Sequence, residues 1–412
     1  MNEYMTLSET SEYIGKSKET LRRWDKEGKL IAVREPISNY RVYRKSDVDS
    51  LFADFLDENI QETISNYVEP HNEYTVLELF AGAGGLAVGM EKVGLKCVAL
   101  NEIDKWACNT LRKNRPNWNV LEGDIKSFSF TEYENKVDIV SGGFPCQAFS
   151  YAGKKLGLAD ARGTLFYEFA RVVKEVKPPI CIGENVRGLL SHENGKTLQG
   201  MISILDEIGY NVVPVQVLKA INYNVPQKRE RLILVGIRKD IDLKYEYPKP
   251  FRKVYNLKDA LKKGELFDCD VPKSEGSKYP KSKIDVLRLV PQKGYWRDLP
   301  LDIQKEFMGG SFHLGGGKTG IARRIGWDEP CLTLTCSPAQ KQTERCHPEE
   351  TRPFTVREYA RIQTFPDDWK FEGSVAQQYK QIGNAVPVNL GKEVGYSIIN
   401  FLNSYYNLSK PK

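Results

Sequence analysis

The sequence predicts an α/β protein built on a doubly wound, mostly parallel sheet, with a small irregular domain and an N-terminal winged helix-turn-helix. Three observations lead there. From Thr75 onward, apolar segments of strand length alternate with helical patterns, as in successive βαβ units. A glycine-rich turn, Phe80-Ala81-Gly82-Ala83-Gly84-Gly85, follows the first of these strands and opens a helix. The first 55 residues follow another pattern, two short helices around a tight turn and then a strand.

Composition narrows the function classes. The chain has 412 residues, enough for two or three domains, and is 41% hydrophobic and 28% charged. No apolar run approaches the roughly 20 residues of a membrane helix. The polar, acidic N-terminus is unlike a secretory signal, so a cytoplasmic protein is expected. Eight cysteines form no Cys-x-x-Cys pair, which argues against a disulfide framework. Cys336, Cys346 and His347 form at most a partial metal set beside the plainer reading as ordinary thiols, and no metal is assigned. A net charge of +6 suits a polyanionic partner without selecting one.

Residues 1–55 read as one unit. A helix from Ser8 to Ile14, a turn at Gly15, and a second helix from Lys18 to Glu27, N-capped by Ser17 and ended by Gly28, precede a strand at Tyr40-Arg41-Val42-Tyr43. Ser46 caps a third helix carrying Val48, Leu51, Phe52 and Phe55. Lys16, Lys18, Arg22, Arg23, Lys26, Lys29 and Arg34 outweigh Glu19, Asp25 and Glu27, giving a local net charge of +4 where a recognition helix would meet phosphates. The alternative is a protein-interaction module with a solvated basic face. Residues 6–30, with Tyr43-Arg44 and the helix after them, resemble the winged helix-turn-helix of the MerR and excisionase type, and Lys18, Arg22 and Arg23 are its candidate DNA contacts.

Residues 56–73 read as a polar linker. Residues 74–240 and 352–412 carry the α/β alternation, with strands at Val76 to Phe80, Leu95 to Leu100, Val137 to Val140 and Ile180 to Ile182. Residues 241–351, rich in Lys, Pro and Gly, form the irregular domain, and regular structure resumes at Thr355 to Gln363 and Gly383 to Leu402.

The chemistry concentrates at predicted strand ends. Glycines at 82, 84 and 85 allow close backbone approach, and a helix N-terminus offers free amides. Glu102 follows the second strand, where a carboxylate can accept ribose hydroxyls, and Asp124, in Gly123-Asp124-Ile125 after a further strand that precedes Val137, can accept from an adenine amino group. These features suit a nucleoside-bearing cofactor, NAD included. Cys146, after Gly142-Gly143-Phe144-Pro145, sits at another strand end, where a thiolate is a strong nucleophile. A buried structural cysteine is the plainer fate of such a residue. Glu184 at the next strand end, and Arg229 and Arg231 at strand spacing, argue for chemistry instead.

In order along residues 75–402, these motifs resemble those of the DNA (cytosine-5)-methyltransferase family: the 80–85 loop, Glu102, Asp124, the 143–150 loop, the 160–166 segment, Glu184-Asn185-Val186, the 227–231 segment, the 352–358 segment and Gly383-Asn384-Ala385-Val386-Pro387. The resemblance implies the fold of S-adenosylmethionine-dependent methyltransferases, with residues 241–351 as the target-recognition domain. It implies S-adenosylmethionine as cofactor, held by Phe80, Gly82, Gly84, Gly85, Glu102, Ile103, Asp124, Ile125, Pro145, Leu165, Asn384 and Val386. Ile103 departs from the family, in which many members place an aromatic residue there.

The same resemblance implies that Cys146 adds to carbon 6 of a cytosine flipped out of duplex DNA. Glu184 would serve ring nitrogen 3, with Arg231 and Arg229 around it, and Gln147, Ser150 and Arg162 would contact DNA. A restriction endonuclease is the expected functional partner, and a monomer the expected state. Two other readings stay open: a tRNA cytosine-5 methyltransferase, and a DNA-binding regulator on an inactive methyltransferase scaffold.

Overall fold

In the computed structural model, residues 4–14, 18–35, 40–48, 65–145, 164–313 and 318–408 are described. The chain divides into two compact units, Met1–Ser65 and Asn66–Lys412.

The first unit contains β1 (Tyr4–Thr6), α1 (Leu7–Ile14), α2 (Lys18–Lys26), β2 (Val33–Arg34) and β3 (Arg41–Arg44). Its antiparallel sheet has the order β1-β3-β2. Strand β1 was not anticipated, because three residues are too few to show a period. Thr6 starts α1, its hydroxyl accepting the Glu9 amide while the Glu9 carboxylate accepts the Thr6 amide. Gly28, at φ 70°, ends α2 as expected. Leu21, Trp24, Leu30, Tyr43 and Val48 form its core. Asp25 ties α2 to the wing, accepting from the Ala32 amide and from Arg41 Nε at 2.9 Å. Residues 45–48 are helical, so Ser46 lies inside this helix rather than capping it. Gly15, Ser17, Leu51, Phe52 and Phe55 lie outside the described residues.

The second unit is wound around a sheet ordered β10-β12-β8-β7-β4-β5-β6, with β9 also on β12. Its parallel part comprises β4 (Thr75–Leu79), β5 (Lys96–Glu102), β6 (Val120–Glu122), β7 (Ile139–Gly142) and β8 (Ile180–Val186). Antiparallel β12 (Glu230–Arg238) pairs with β8 and carries β9 (Tyr210–Val212) and β10 (Gln216–Lys219). The chain runs from β4 outward through β5 and β6, then returns to β7 on β4's other side. That reversal opens a crevice at the carboxyl ends of β4 and β7, where open α/β sheets bind ligands.

Helices α3 (Gly85–Glu91), α4 (Lys105–Asn114), α5 (Leu165–Val176) and α6 (Lys196–Glu207) complete the crossovers. Thr164 caps α5, its hydroxyl accepting the Tyr167 amide. Further on come α7 (Leu257–Leu261), α8 (Lys281–Leu287), α9 (Leu301–Met308), α10 (Val356–Ile362), α11 (Val375–Asn384) and α12 (Val388–Leu408). Helix α12 packs closely on α3: a methyl on Gly89 would sit 2.5 Å from the Val388 carbonyl oxygen. The regular structure expected from Gly383 to Leu402 is the end of α11, a break at Ala385 to Pro387, and α12, because Pro387 lacks the amide to continue a helix.

The region 241–351 has more order than its composition suggested. It contributes α7 to α9, and β13 (Cys331–Leu332) pairs in parallel with β11 (Gln227–Lys228). Tyr279, Leu287, Trp296, Met308 and Ile321 belong to a small core of their own, whereas Leu257, Leu261, Ile325 and Leu334 join the main core. The stretch expected as a linker is anchored from Asn66 on. Asn66 donates to Glu393 on α12, and the Asn403 side chain receives Tyr74 Oη and the His71 amide. Among the described residues, no helix is long and apolar enough to cross a membrane.

Candidate active site

The crevice holds a cavity of about 860 Å³. Its walls come from the ends of β4, β5, β7 and β8, the start of β12, the 333–336 segment and the end of α11.

On one side is the 80–85 loop. Phe80 and Gly82 both adopt φ 55°, which turns the chain sharply out of β4, and the non-glycine Phe80 holds this conformation at the cavity wall. Glu102 closes the same side. Its Oε2 accepts the Gly82 amide at 2.7 Å, and its Oε1 accepts the amides of Ile103 and Asp104 at 2.8 and 2.7 Å. Ile103, 67% exposed, Ile125, buried, and Asp124 line the next stretch. Asp124 caps a short 3-10 turn by accepting the Lys126 amide. Pro145, Leu165, Asn384 and Val386 face the same space. Gly85 lets α3 approach the Val386 carbonyl, since a methyl there would sit 2.2 Å from that oxygen. Gly84 is not part of the lining; at φ 84° it turns the chain into α3, with Leu111 and Trp369 against it.

On the other side, Glu184 and Arg231 form a buried ion pair, with Arg231 Nε 2.5 Å from Glu184 Oε1. The antiparallel register of β8 and β12, Ile233 opposite Glu184 and Arg231 opposite Val186, sets the two on one face. Burial pushes the Glu184 carboxyl above the usual carboxylate range, with Arg231 and Arg229 pulling the other way. Gly143 leaves room for it, because a methyl there would lie 2.8 Å from Glu184 Oε2. Asn185 Nδ2 donates to the Phe144 carbonyl at 2.9 Å, fastening the end of β8 to the loop that leads into Cys146. Cys146, Gln147, Ser150 and Arg162 lie outside the described residues.

Arg229 also reaches the cavity, but its guanidinium is a brace. It donates to the carbonyls of Leu334 and Gly383 at 3.1 and 3.0 Å, joining the 333–336 segment to α11. Arg229 and Arg231 do face one space, although the strand breaks between Lys228 and Glu230.

Several lining residues escaped the sequence reading. Lys380 and Asp104 bridge α11 and the start of α4 at 2.8 Å, and Cys336 Sγ donates to Asn384 Oδ1 at 2.9 Å. Nothing local in the sequence signals these pairings. Glu78 was legible in principle, as a carboxylate in the middle of the apolar strand Val76-Leu77-Glu78-Leu79. In the first unit, Lys18, Arg22 and Arg23 are exposed on α2, with Arg23 3.7 Å from Glu27.

A doubly wound sheet with a nucleoside-sized crevice at its switch point, and a buried carboxylate–arginine pair beside it, defines a protein of the methyltransferase fold class. Residues 74–400 match the C-5 cytosine-specific DNA methylase family, and the chain belongs to that family. Residues 5–52 match the MerR helix-turn-helix family of regulatory proteins. The Type II methyltransferase M.Eco47II of Escherichia coli is 61% identical over 98% of this chain and 97% of its own. M.PspPI of a Psychrobacter strain is 55% identical over 94% of each chain. A DNMT2 mutant from Spodoptera frugiperda shares the fold, at TM-score 0.57 and 18% identity over 79% of this chain and 99% of that one.

The protein is therefore a DNA methyltransferase acting on carbon 5 of cytosine, with S-adenosylmethionine as cofactor. The cavity's donor set fits that group. Glu102 offers carboxylate oxygens, Ile103 and Ile125 apolar surface, the glycine loop close backbone approach, and Glu78 a buried oxygen, Oε2, with no partner among the described residues.

Proposed function

We propose that this enzyme is the modification half of a restriction-modification system, a monomer working in the cytoplasm on cytosines flipped out of duplex DNA. The observation that carries the chemical reading is the buried Glu184–Arg231 pair in the same cavity as the 80–85 loop and Glu102. The modification role is supported by the likeness, over nearly its whole length, to proteins named Type II methyltransferases.

In this reading Phe80, Gly82, Gly85, Glu102, Ile103, Asp124, Ile125, Pro145, Leu165, Asn384 and Val386 hold the cofactor, and Gly84 shapes the loop that does so. Bound S-adenosylmethionine supplies an electrophilic sulfonium methyl group. Carbon 5 of cytosine is too weak a nucleophile to take it unaided. The Cys146 thiolate adds to carbon 6, and the ring's electron pair moves toward nitrogen 3, where the Glu184 proton meets it. Carbon 5 is then nucleophilic. Arg231 holds the Glu184 carboxyl and faces the base's carbonyl oxygen, while Arg229 acts as a positioning residue through its brace. Once carbon 5 carries the methyl group, loss of its hydrogen as a proton to solvent and return of the nitrogen 3 proton to Glu184 restore the ring and expel Cys146 as a thiolate. Gln147, Ser150 and Arg162 contact the DNA around the vacated base.

Incubation with labelled cofactor and either duplex DNA or tRNA tests this, repeated with Cys146→Ala. Label should enter DNA alone, and only with Cys146 present. A covalent adduct on 5-fluorocytosine DNA should form as well, because fluorine does not leave as a proton does. Label in tRNA instead would overturn the DNA reading.

The first unit binds DNA through Lys18, Arg22 and Arg23 and tunes transcription of its own operon. Its exposed basic helix and its match to regulatory proteins support this. Footprinting on the promoter should show protection that vanishes when residues 1–55 are deleted. Protection that survives the deletion would refute it.

A further inference from the structure

Beyond β13 the chain runs from Thr333 to Cys336 along the cavity, and among the described residues no strand pairs with it. Backbone groups of such an interior stretch still need partners. Side chains supply all of them from the Thr333 carbonyl to the Thr335 carbonyl. Arg345 Nη2 donates to the Thr333 carbonyl at 2.8 Å, and Gln227 Oε1 accepts the Leu334 amide at 2.9 Å. Arg229 donates to the Leu334 carbonyl at 3.1 Å. The Tyr359 hydroxyl, on α10, accepts the Thr335 amide at 3.3 Å and donates to the Thr335 carbonyl at 3.0 Å. None of these four residues is more than 5% exposed.

Helix α11 adds a steric stop. A methyl on Gly383 would lie 2.3 Å from the Thr335 carbonyl oxygen, so helix and segment are in direct contact. Tyr359 packs edge-on against Tyr379 of the same helix, with ring centroids 5.0 Å apart. Arg345 ties the segment to the small core as well. Its neighbour Glu344, fully buried, accepts the Ala322 amide and pairs with Lys283, which also donates to the Ala339 carbonyl. A stretch needed only to close the core could have gone on pairing with a strand, as Cys331 and Leu332 do with β11. Instead, four buried polar side chains, each costly to desolvate, are committed to three residues. A wall held in this way is rigid before any ligand arrives, as accurate seating of a reacting group requires.

We propose that Tyr359 and Arg345 are positioning residues for the methyl transfer, holding the 333–336 segment as the fixed wall against which the flipped cytosine is seated. Neither residue lines the cavity, so each acts through the backbone it holds. The inference rests on the reading of this cavity as the place where a flipped base is methylated.

Tyr359→Phe in the full chain tests this, because it removes one oxygen, frees both Thr335 groups and leaves the ring against Tyr379. On duplex DNA that the wild type methylates, its single-turnover rate at saturating DNA and cofactor should fall about tenfold to a hundredfold. The dissociation constants for DNA and for S-adenosylhomocysteine should change less than threefold. A merely structural role would lower the unfolding midpoint and leave the rate per folded molecule as in the wild type, and that result would overturn the proposal. If Tyr359→Phe folds poorly, Arg345→Lys and Arg345→Met decide. The Lys variant can still donate to the Thr333 carbonyl and should keep at least about threefold more of the rate than the Met variant. Equal rates per folded molecule in those two would overturn the proposal as well. If the wild type transferred no label to DNA, the reading of the cavity would fall, whereas a normal rate in Tyr359→Phe would remove this inference alone.

Discussion

Arg231 Nε lies 2.5 Å from Glu184 Oε1, and both side chains are about nine-tenths buried. A pair so placed is costly to break from one side, because the remaining charge stays in a low dielectric. Arg231→Ala should therefore destabilise the protein by about 3–5 kcal/mol. Glu184→Gln keeps the volume and should lower kcat about 10²–10⁴-fold with a smaller loss of stability. Denaturant unfolding and single-turnover methylation, measured on both variants, separate the two effects.

The pH dependence follows from the same burial. Glu184 holds its proton to higher pH than an ordinary carboxyl, with burial the cause and the arginines opposing. In the proposed mechanism its acid form is the one that meets nitrogen 3, so the single-turnover rate should decline as pH rises through the raised value. The folded state also binds this proton more tightly than the unfolded state. Stability from this group is thus lost as pH climbs from the usual carboxyl range toward the raised value. In Glu184→Gln both dependences should flatten.

Gly143 lets the backbone just beyond β7 pass close to that carboxyl. A methyl there would sit 2.8 Å from Glu184 Oε2, so Gly143→Ala must shift either the loop or the carboxylate. Displacements near 1 Å at reacting groups cost about 10²-fold. The variant should lose activity on that scale while its affinity for S-adenosylhomocysteine changes less than threefold. A large loss of cofactor affinity would instead place Gly143 in the cofactor wall.

Glu102 draws in three backbone amides, those of Gly82, Ile103 and Asp104, and so shapes the cofactor wall as well as facing it. Glu102→Gln should weaken cofactor binding about tenfold to a hundredfold, because an amide carries no charge and one of its two ends cannot accept. Equilibrium binding of S-adenosylhomocysteine checks this. An unchanged dissociation constant would show that the amides alone hold the loop.

By itself, the sequence determined four of the parallel strands and the residues at their carboxyl ends. Strand-length apolar runs ending in Phe80, Glu102, Pro145 and Glu184 are a local signal, because residues at the carboxyl ends of parallel strands reach the switch-point crevice whatever the loops do. The apolar period of the helix from Leu165 to Val176 is likewise a local signal. Tertiary structure decided what local pattern does not encode. Arg229 became a brace through Leu334 and Gly383, which lie 105 and 154 residues away. Residues 66–74 joined the body through Glu393 and Asn403 on the last helix. The pairing of Glu184 with Arg231 needed the antiparallel register of β8 and β12. In each case the partners are far apart in sequence, and only closure of the core brings them within reach.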